Sequence, residues 1–268
     1  MKIIRTVAEM RNALSEGQSL ERDSPSGGTV PAIGLVPTMG SFHAGHMFLF
    51  EAARAECAIV VASLFVNPAQ FGPAEDLASY PRDEERDARA AEEAGVDFLF
   101  APSPDEMYPA GYETWVDVEE LGRRLEGEFR PGHFRGVATV CCKLFNIIRP
   151  RRAYFGQKDA QQAAVVKRVV ADLNLDIEIR VVPTVRDSDG LALSSRNVYL
   201  SREEREAALA LPRALATRDP VAARDLLSNL DVDYVEVAEL DGQRVLAAAV
   251  RVGKTRLIDN IVLEGEPK

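Results

Sequence analysis

Two of the three histidines in this 268-residue chain, His43 and His46, stand three residues apart in PTMGSFHAGH, residues 37–46. Gly40 precedes the pair and Gly45 lies inside it, so little side-chain bulk surrounds the imidazoles. The apolar run AIGLV ends just before them, which puts them at the mouth of a strand. Three readings compete. The pair could be a loop histidine and a helix-capping histidine with no chemistry to perform. Metal ligation requires a third ligand and a supporting carboxylate, and the motif holds no Cys, Asp or Glu, which counts against it. Phosphate handling is the third. A helix N-terminus presents unpaired N–H groups to an anion, the glycines admit a close approach, and the imidazoles can donate to phosphate oxygens as charge develops.

The elements that must hold this motif alternate through the first half. GLVPTM reads as a short strand and HMFLFEAARAE as a helix. CAIVVASLFVN has the continuous β-branched character of a buried parallel strand. YPRDEERDARAAEEAG reads as a charged surface helix closed by Gly95, and VDFLFAP as a strand. GVATVCCKLFNIIRP is an apolar helix stopped by Pro150. RAYFGQ, DAQQAAVVKRVVADLN and IEIRVVPTV continue as strand, helix, strand. MKIIRTVAEMRNALSEG at the start has a helical pattern, and ERDSPSGGTVPA, 21–32, reads as a flexible surface insert. This alternation predicts a doubly wound α/β fold with a parallel sheet, whose ligands sit beyond the carboxyl ends of the strands. The segments PTMGSFHAGH, FVNPAQFG, FGQKD and PTVRDSDGLALSSRN each follow an apolar run, as that rule requires.

After about residue 186 the texture changes. SREEREAALALPRALA and DPVAARDLLSN read as helices, then VDYVEVAEL, RVLAAAVRVG and TRLIDNIVLE as strands. Residues 1–186 are expected to form the larger α/β domain and 187–268 a smaller α+β one.

Composition narrows the function. The formal charge of −10 disfavours a phosphate-binding nucleic-acid surface, despite RPRR at 149–152. No apolar stretch reaches 18 residues, so no spanning helix is expected, and the N-terminus lacks the apolar run of a signal peptide. Three cysteines, Cys57, Cys141 and Cys142, without paired spacing predict reduced thiols and a cytoplasmic setting. Cys141 and Cys142 read as small buried apolar residues.

HAGH resembles the HxGH signature of the nucleotidylyltransferase superfamily, which includes class I aminoacyl-tRNA synthetases. The longer PTMGSFHAGH resembles the PTMGALHxGH motif of the pantoate–β-alanine ligase family. FVNPAQFGPAEDLASYPR, FGQKDAQQ and PTVRDSDGLALSSRN agree with that family in order, over about residues 30 to 200. The resemblance implies a Rossmann-like sheet and an ATP-dependent ligation. Pantoate would attack the α-phosphorus of ATP to give pantoyl adenylate and pyrophosphate. The amine of β-alanine would then displace AMP. It also implies Mg²⁺, a homodimer and a cytoplasmic enzyme.

Residue by residue, the resemblance assigns Met39, Gly40, Ser41, Phe42, His43, Ala44, Gly45 and His46 to the ATP segment. His46 is the family's proton donor; physically, both imidazoles would stabilise charge on the α-phosphate and on leaving pyrophosphate. Gly156, Gln157, Lys158 and Asp159 form the next segment. Lys158 would act as a point cation on the β- and γ-phosphates. Asp159 would either cap the following helix or hold Mg²⁺. Ser194, Ser195 and Arg196 resemble the superfamily's mobile serine-rich loop and would clamp pyrophosphate, with Val185 and Leu193 against the nucleotide. Gln70 and Gln162 would orient pantoate without lowering the reactivity of its carboxylate. Asn67 is either a further ligand contact or a turn former before Pro68. Arg130 and His133 belong either to the binding site or to a structural loop, and Tyr80 and Arg82 to its support. This sequence departs from the family pattern at Ser41–Phe42, Ala160 and Leu193, which touches substrate affinity more than reaction type. Two rivals remain at this level: a nucleotidylyltransferase acting on CTP, and a nucleotide-binding module without catalysis.

Overall fold

The computed structural model describes residues 1–22, 32–73 and 75–264. Most of the 21–32 insert therefore lies outside the described residues. The first half alternates as the apolar runs predict. β1 (Lys2–Ile4), α1 (Val7–Arg22), β2 (Ile33–Thr38), α2 (Ala44–Glu56), β3 (Ile59–Leu64), α3 (Glu84–Glu93) and β4 (Phe98–Phe100) follow in order. α4 (Pro104–Met107) and α5 (Glu126–Phe129) are single turns. α6 (His133–Ile148), β5 (Arg152–Gly156), α7 (Ala160–Asp172) and β6 (Glu178–Val182) complete the sheet.

All six strands run parallel in the order β1-β4-β3-β2-β5-β6. Successive side chains of a strand point to opposite faces, and both faces are buried. Leu35 and Val61 join a core under α1, α6 and α7, whereas Val36, Val60 and Ala62 join one under α2 and α3. The chain winds outward from β2 through β3 to β4 and then returns to the other side of β2 with β5. The crevice between the carboxyl ends of β2 and β5 is thus the switch point where doubly wound sheets bind ligands.

The remainder holds α8 (Arg202–Ala208), α9 (Ala210–Ala216), α10 (Pro220–Leu226) and an antiparallel meander, β7 (Asp231–Leu240), β8 (Gln243–Val252) and β9 (Thr255–Glu264). β8 reads LAAAV because it is buried on both sides. Leu246, Ala248 and Val250 pack under α9 and α10, and Val245, Ala247 and Ala249 pack with Ala160 and Ala164 of α7. The small sheet is therefore layered onto the larger domain through α7.

Three local expectations change. The N-terminal helix is preceded by a strand: Lys2–Ile4 pairs with Phe98–Phe100 at the sheet edge, too short to show a period of two. SREEREAALALPRALA is two helices, because Pro212 has no N–H to bond the carbonyl of Ala208. The charged helix α3 is not wholly a surface element, since Asp87 and Ala91 are buried.

Candidate active site

Two cavities meet at the carboxyl end of the parallel sheet. The smaller, about 230 Å³, is lined by Met39, His43, Gly45, His46, Gln70, Gly156, Lys158, Asp159, Gln162, Val185, Leu193 and Ser194–Arg196, among others. The larger, about 1210 Å³, opens between the small sheet and two segments, one holding Glu75, Asp76 and Ser79 and the other Leu125–Phe134. Arg130, His133, Lys158, Asp159, Gln162, Ser194 and Arg196 border both. Binding sites for small ligands commonly occupy ~300–1,000 Å³, so an occupant the size of a nucleotide must reach from the smaller space into the larger.

The histidines are positioned by the start of α2. After β2 the chain turns through Gly40 (φ +89°) and Ser41 (φ +54°). The N–H groups of Ser41 and Phe42 both donate to the buried carboxylate of Asp87, each at 2.7 Å. A side chain at position 40 would put Cβ 2.8 Å from Asp87 Oδ2, so glycine meets both the conformation and the fit. Phe42, larger than the family's usual leucine, packs edge-on against Phe50 at 5.2 Å.

His43 is the N-cap of α2, and it closes a capping box with His46 in place of the usual Ser and Glu. Gly45 N–H donates to His43 Nδ1 at 3.1 Å, and His43 N–H donates to His46 Nδ1 at 3.3 Å. A ring nitrogen that accepts a hydrogen bond carries no proton. Each imidazole is therefore the neutral Nε2–H tautomer, with Nε2–H as its remaining donor. Charge is disfavoured as well: burial and then nearby Lys158 push His43 down to about 4, and burial, His43 and Lys158 push His46 down to about 3. The rings lie 4.2 Å apart. A Cβ at Gly45 would sit 2.9 Å from the His43 ring, so this position cannot carry a side chain without moving the imidazole.

Across the switch point, Lys158 and Asp159 sit in the tight turn Gln157–Asp159 between β5 and α7. Lys158 Nζ is 3.5 Å from Asp159 Oδ1. Asp159 stands at the N-cap position of α7, but its side chain makes no capping hydrogen bond, so the capping alternative fails. A Cβ built on Gly156 would meet open space. Among the described residues no group of three or more His, Cys, Asp or Glu could hold a metal.

The serine-rich loop closes the third side. Ser194 caps the short helix Ser195–Tyr199, and Ser195 Oγ donates to Ser41 O at 3.3 Å, tying the loop to the histidine segment. Leu193 N–H donates to Val185 O at 3.0 Å. Arg196 faces the protein: its fork grips Asp76 through two bonds of 2.9 and 2.8 Å. Asp187 and Asp189 are held by Arg205.

The two glutamines expected at the organic-acid end differ in their surroundings. Gln70 is buried, with Nε2 donating to Met39 Sδ at 3.1 Å and Oε1 accepting from Asn67 at 3.0 Å. Gln162 is half-buried on the cavity wall, and no hydrogen bond ties its amide to the described protein. Its neighbour Gln161 is fully engaged by Glu126, Leu121 and Arg124. Asn67 caps the turn Pro68–Gln70 and bonds Gly136 O and Tyr108, so its polar atoms are spent within the protein, as the turn-forming alternative expects. Arg130 and His133 stand behind Gln70. His133 Nδ1–H donates to Gln70 O at 2.9 Å, and its Nε2 accepts from Arg130 at 3.1 Å. Burial and then Arg130 push His133 down to about 4. Arg130 is itself paired with Glu75. Tyr80 stacks edge-on against Phe71 and lies 6.0 Å from the Arg196 guanidinium.

Sequence reading missed Asp87, Asp76 and Asn260. In sequence Asp87 looks like any other carboxylate of a charged helix, and all three act through contacts that sequence distance hides.

A doubly wound parallel sheet with an HxGH segment at its switch point and a lysine turn opposite defines a nucleotide-handling α/β protein. Within that class the chain belongs to the pantoate–β-alanine ligase family: residues 2–262 match the family model described as Pantoate-beta-alanine ligase. It is 53% identical to the pantothenate synthetase of Heliobacterium modesticaldum, over 98% of this chain and all of that one. The fold is similar to the crystal structure of pantothenate synthetase from Thermus thermophilus, with a TM-score of 0.89 and 45% identity, covering 97% of this chain and 99% of that one. It is also similar to the pantoate-β-alanine ligase of Francisella tularensis complexed with β-γ ATP and β-alanine, with a TM-score of 0.83 and 33% identity over the whole of both chains.

Proposed function

We propose that the chain condenses pantoate with β-alanine at the expense of ATP, through an enzyme-bound pantoyl adenylate. A pantoate carboxylate oxygen attacks the α-phosphorus of ATP and the bond to pyrophosphate breaks. The β-alanine nitrogen then attacks the acyl carbon, AMP departs with the bonding pair, and the amine loses its proton to solvent. The observation that carries this reading is the convergence of two neutral Nε2–H donors and the Lys158 ammonium on one cavity at the switch point.

Neutral imidazoles suit the task. They donate hydrogen bonds to oxygens that gain charge in the transition state, and their positions are set by the capping box before substrate arrives. This favours hydrogen-bond stabilisation over proton donation by His46, because a ring titrating near 3 holds no spare proton at neutral pH. Lys158 supplies the fixed positive charge. Ser194 and Ser195 offer hydroxyls to pyrophosphate, and Arg196 joins them once it exchanges Asp76 for phosphate. Val185, Leu193 and Gly156 bound the space for the base and ribose. Met39, Gln70 and Gln162 bound that for pantoate, with Asn67, Arg130 and His133 holding Gln70 in place.

Asp159 is the carboxylate available to Mg²⁺, and a lone carboxylate fits an ion otherwise held by phosphates and water. When bound, that ion would neutralise phosphate charge. Residues 1–186 would bind nucleotide and pantoate while residues 187–268 cover them and exclude water from the adenylate. A homodimer in the cytoplasm is the expected setting.

Pantoate-dependent exchange of labelled pyrophosphate into ATP tests the first step, and AMP release only with β-alanine tests the second. Exchange that needs no pantoate, or activity with CTP and a phosphorylated alcohol, would overturn the reading.

A further inference from the structure

β9 is the edge strand of the small sheet, and two adjacent residues in its middle reach both loops that face the phosphates. Asn260, 5% exposed, donates from Nδ2 to the carbonyls of Gln157 at 2.9 Å and Lys158 at 2.8 Å. Its Oδ1 accepts from Gln157 Nε2 at 3.1 Å. The side chain is thus saturated on the turn that carries Lys158, from a strand 102 residues further along. Asp259, 2% exposed, takes the Arg186 fork at 2.6 and 3.0 Å. Arg186 also donates to Gly190 O and bridges to Ala192, so it organises the loop that runs into Ser194. Opposite Asp259 and Asn260 on β8 stand Ala248 and Ala247, which pack into the cores on opposite faces of the sheet. The pleat itself sends one side chain to each loop.

We infer that Asp259 and Asn260 are positioning residues for catalysis, Asn260 fixing the lysine turn and Asp259 the serine-rich loop, so that the small sheet sets the geometry of the phosphate site. The inference rests on the ligation proposed above. The reason is chemical. The turn Gln157–Asp159 ends β5 and begins α7, and the carbonyls of Gln157 and Lys158 both accept from the one Asn260 amide. An amide that binds both of them fixes the peptide planes on either side of the Lys158 Cα, and with them the direction in which the ammonium is offered. Misplacement of a catalytic group by ~1 Å can cost on the order of 100-fold in rate.

The test is a double-mutant cycle on the full-length chain, read as pantoate-dependent ATP–pyrophosphate exchange. Asn260→Ala is expected to lower kcat by roughly tenfold or more, with KM for pantoate unchanged. In a Lys158→Ala background the same substitution should cost nothing further, because its effect passes through that lysine. Asn260→Asp, which sets a carboxylate against two carbonyl oxygens, should be at least as damaging; it also serves if the alanine variant does not fold. Asp259→Asn, which keeps one acceptor for Arg186, should retain more activity than Asp259→Ala. Full additivity of Asn260→Ala with Lys158→Ala, or an unchanged kcat, would overturn the inference while leaving the ligation intact. Absence of pantoate-dependent exchange in the unsubstituted chain would instead overturn the ligation reading, and this inference with it.

Discussion

The segment after β2 and the segment after β6 border the same cavity but are held by different means. Residues 40–46 are fixed from within: the buried carboxylate of Asp87 accepts two backbone N–H groups, and the histidines cap their own helix. Beyond Arg186, which the buried Asp259 anchors, residues 187–199 are held largely by charges that can change partners, with Arg196 on Asp76 and Arg205 on Asp187 and Asp189. Buried hydrogen bonds have no replacement in water and are expensive to leave unmade. Partly exposed ion pairs are worth about 0–1 kcal/mol and weaken with salt. The donors that must meet a developing charge stand on the rigid segment. The clamp that must admit and release a polyanion stands on the exchangeable one.

The strongest way to break this comparison is to remove a rigid donor. His46→Ala should lower pantoate-dependent exchange roughly 100–1000-fold, the usual cost of losing one preorganised donor. A loss below tenfold would mean that the exchangeable loop, not the histidine segment, carries the catalysis.

Asp87→Ala follows in size. It strips the acceptor from two backbone N–H groups, which should cost about 1–3 kcal/mol of stability and, by loosening the histidines, roughly 10–100-fold in kcat. Urea unfolding and steady-state kinetics on the same sample check both. Equal stability with full activity would show that the segment is held by its capping box alone.

How much of this could be read beforehand depends on how local each cause is. The parallel sheet was legible because β-branched runs such as CAIVVASLF and charged helical stretches signal themselves over a few residues. His43, His46, Lys158 and Ser194 were legible because they sit in motifs at strand ends. Asp87 was not, because nothing in EERDARAAEE distinguishes the carboxylate that turns inward from its exposed neighbours. Nor were the separate fates of Gln161 and Gln162: they are identical in type and adjacent, and only the helix phase of α7 against the Leu121–Glu126 segment tells them apart. Asn260 lies in a strand pattern, LIDNIV, whose partners depend on how the small sheet docks against α7 and the turn before it.

Protonation sharpens the comparison further. His43, His46 and His133 titrate near 4, 3 and 4 in the folded chain, against about 6.5 when unfolded. Within that window the unfolded chain binds more protons, so stability rises with pH through it and falls on acidification below about 6.5. Replacing His46 with Gln should reduce the slope between pH 5 and 6 by up to about 1.4 kcal/mol per pH unit. Turnover, in contrast, should show no histidine-linked loss from pH 8 down to about 5.5, since the donors are neutral throughout that range. A loss centred near 6.5 on acidification would mean that the imidazoles protonate at their ordinary value and that neither burial nor the capping box keeps them neutral, whereas a gain there would mean that they work as cations.

The smallest effect is expected at the exchangeable side. Asp76→Asn weakens the grip on Arg196 while keeping an acceptor in place. Stability should change by less than about 1 kcal/mol, as for other half-exposed pairs. Because Arg196 must leave Asp76 before it can meet a phosphate, the substitution removes a competitor. The KM for ATP should therefore fall, by roughly two- to fivefold, with kcat little altered. Raising the salt concentration should shrink the difference between variant and parent, since it loosens the Arg196–Asp76 pair in the parent. A rise in KM would reverse the assignment. It would mean that Asp76 holds Arg196 in its working position, and that the serine-rich loop is as preorganised as the histidine segment across the cavity.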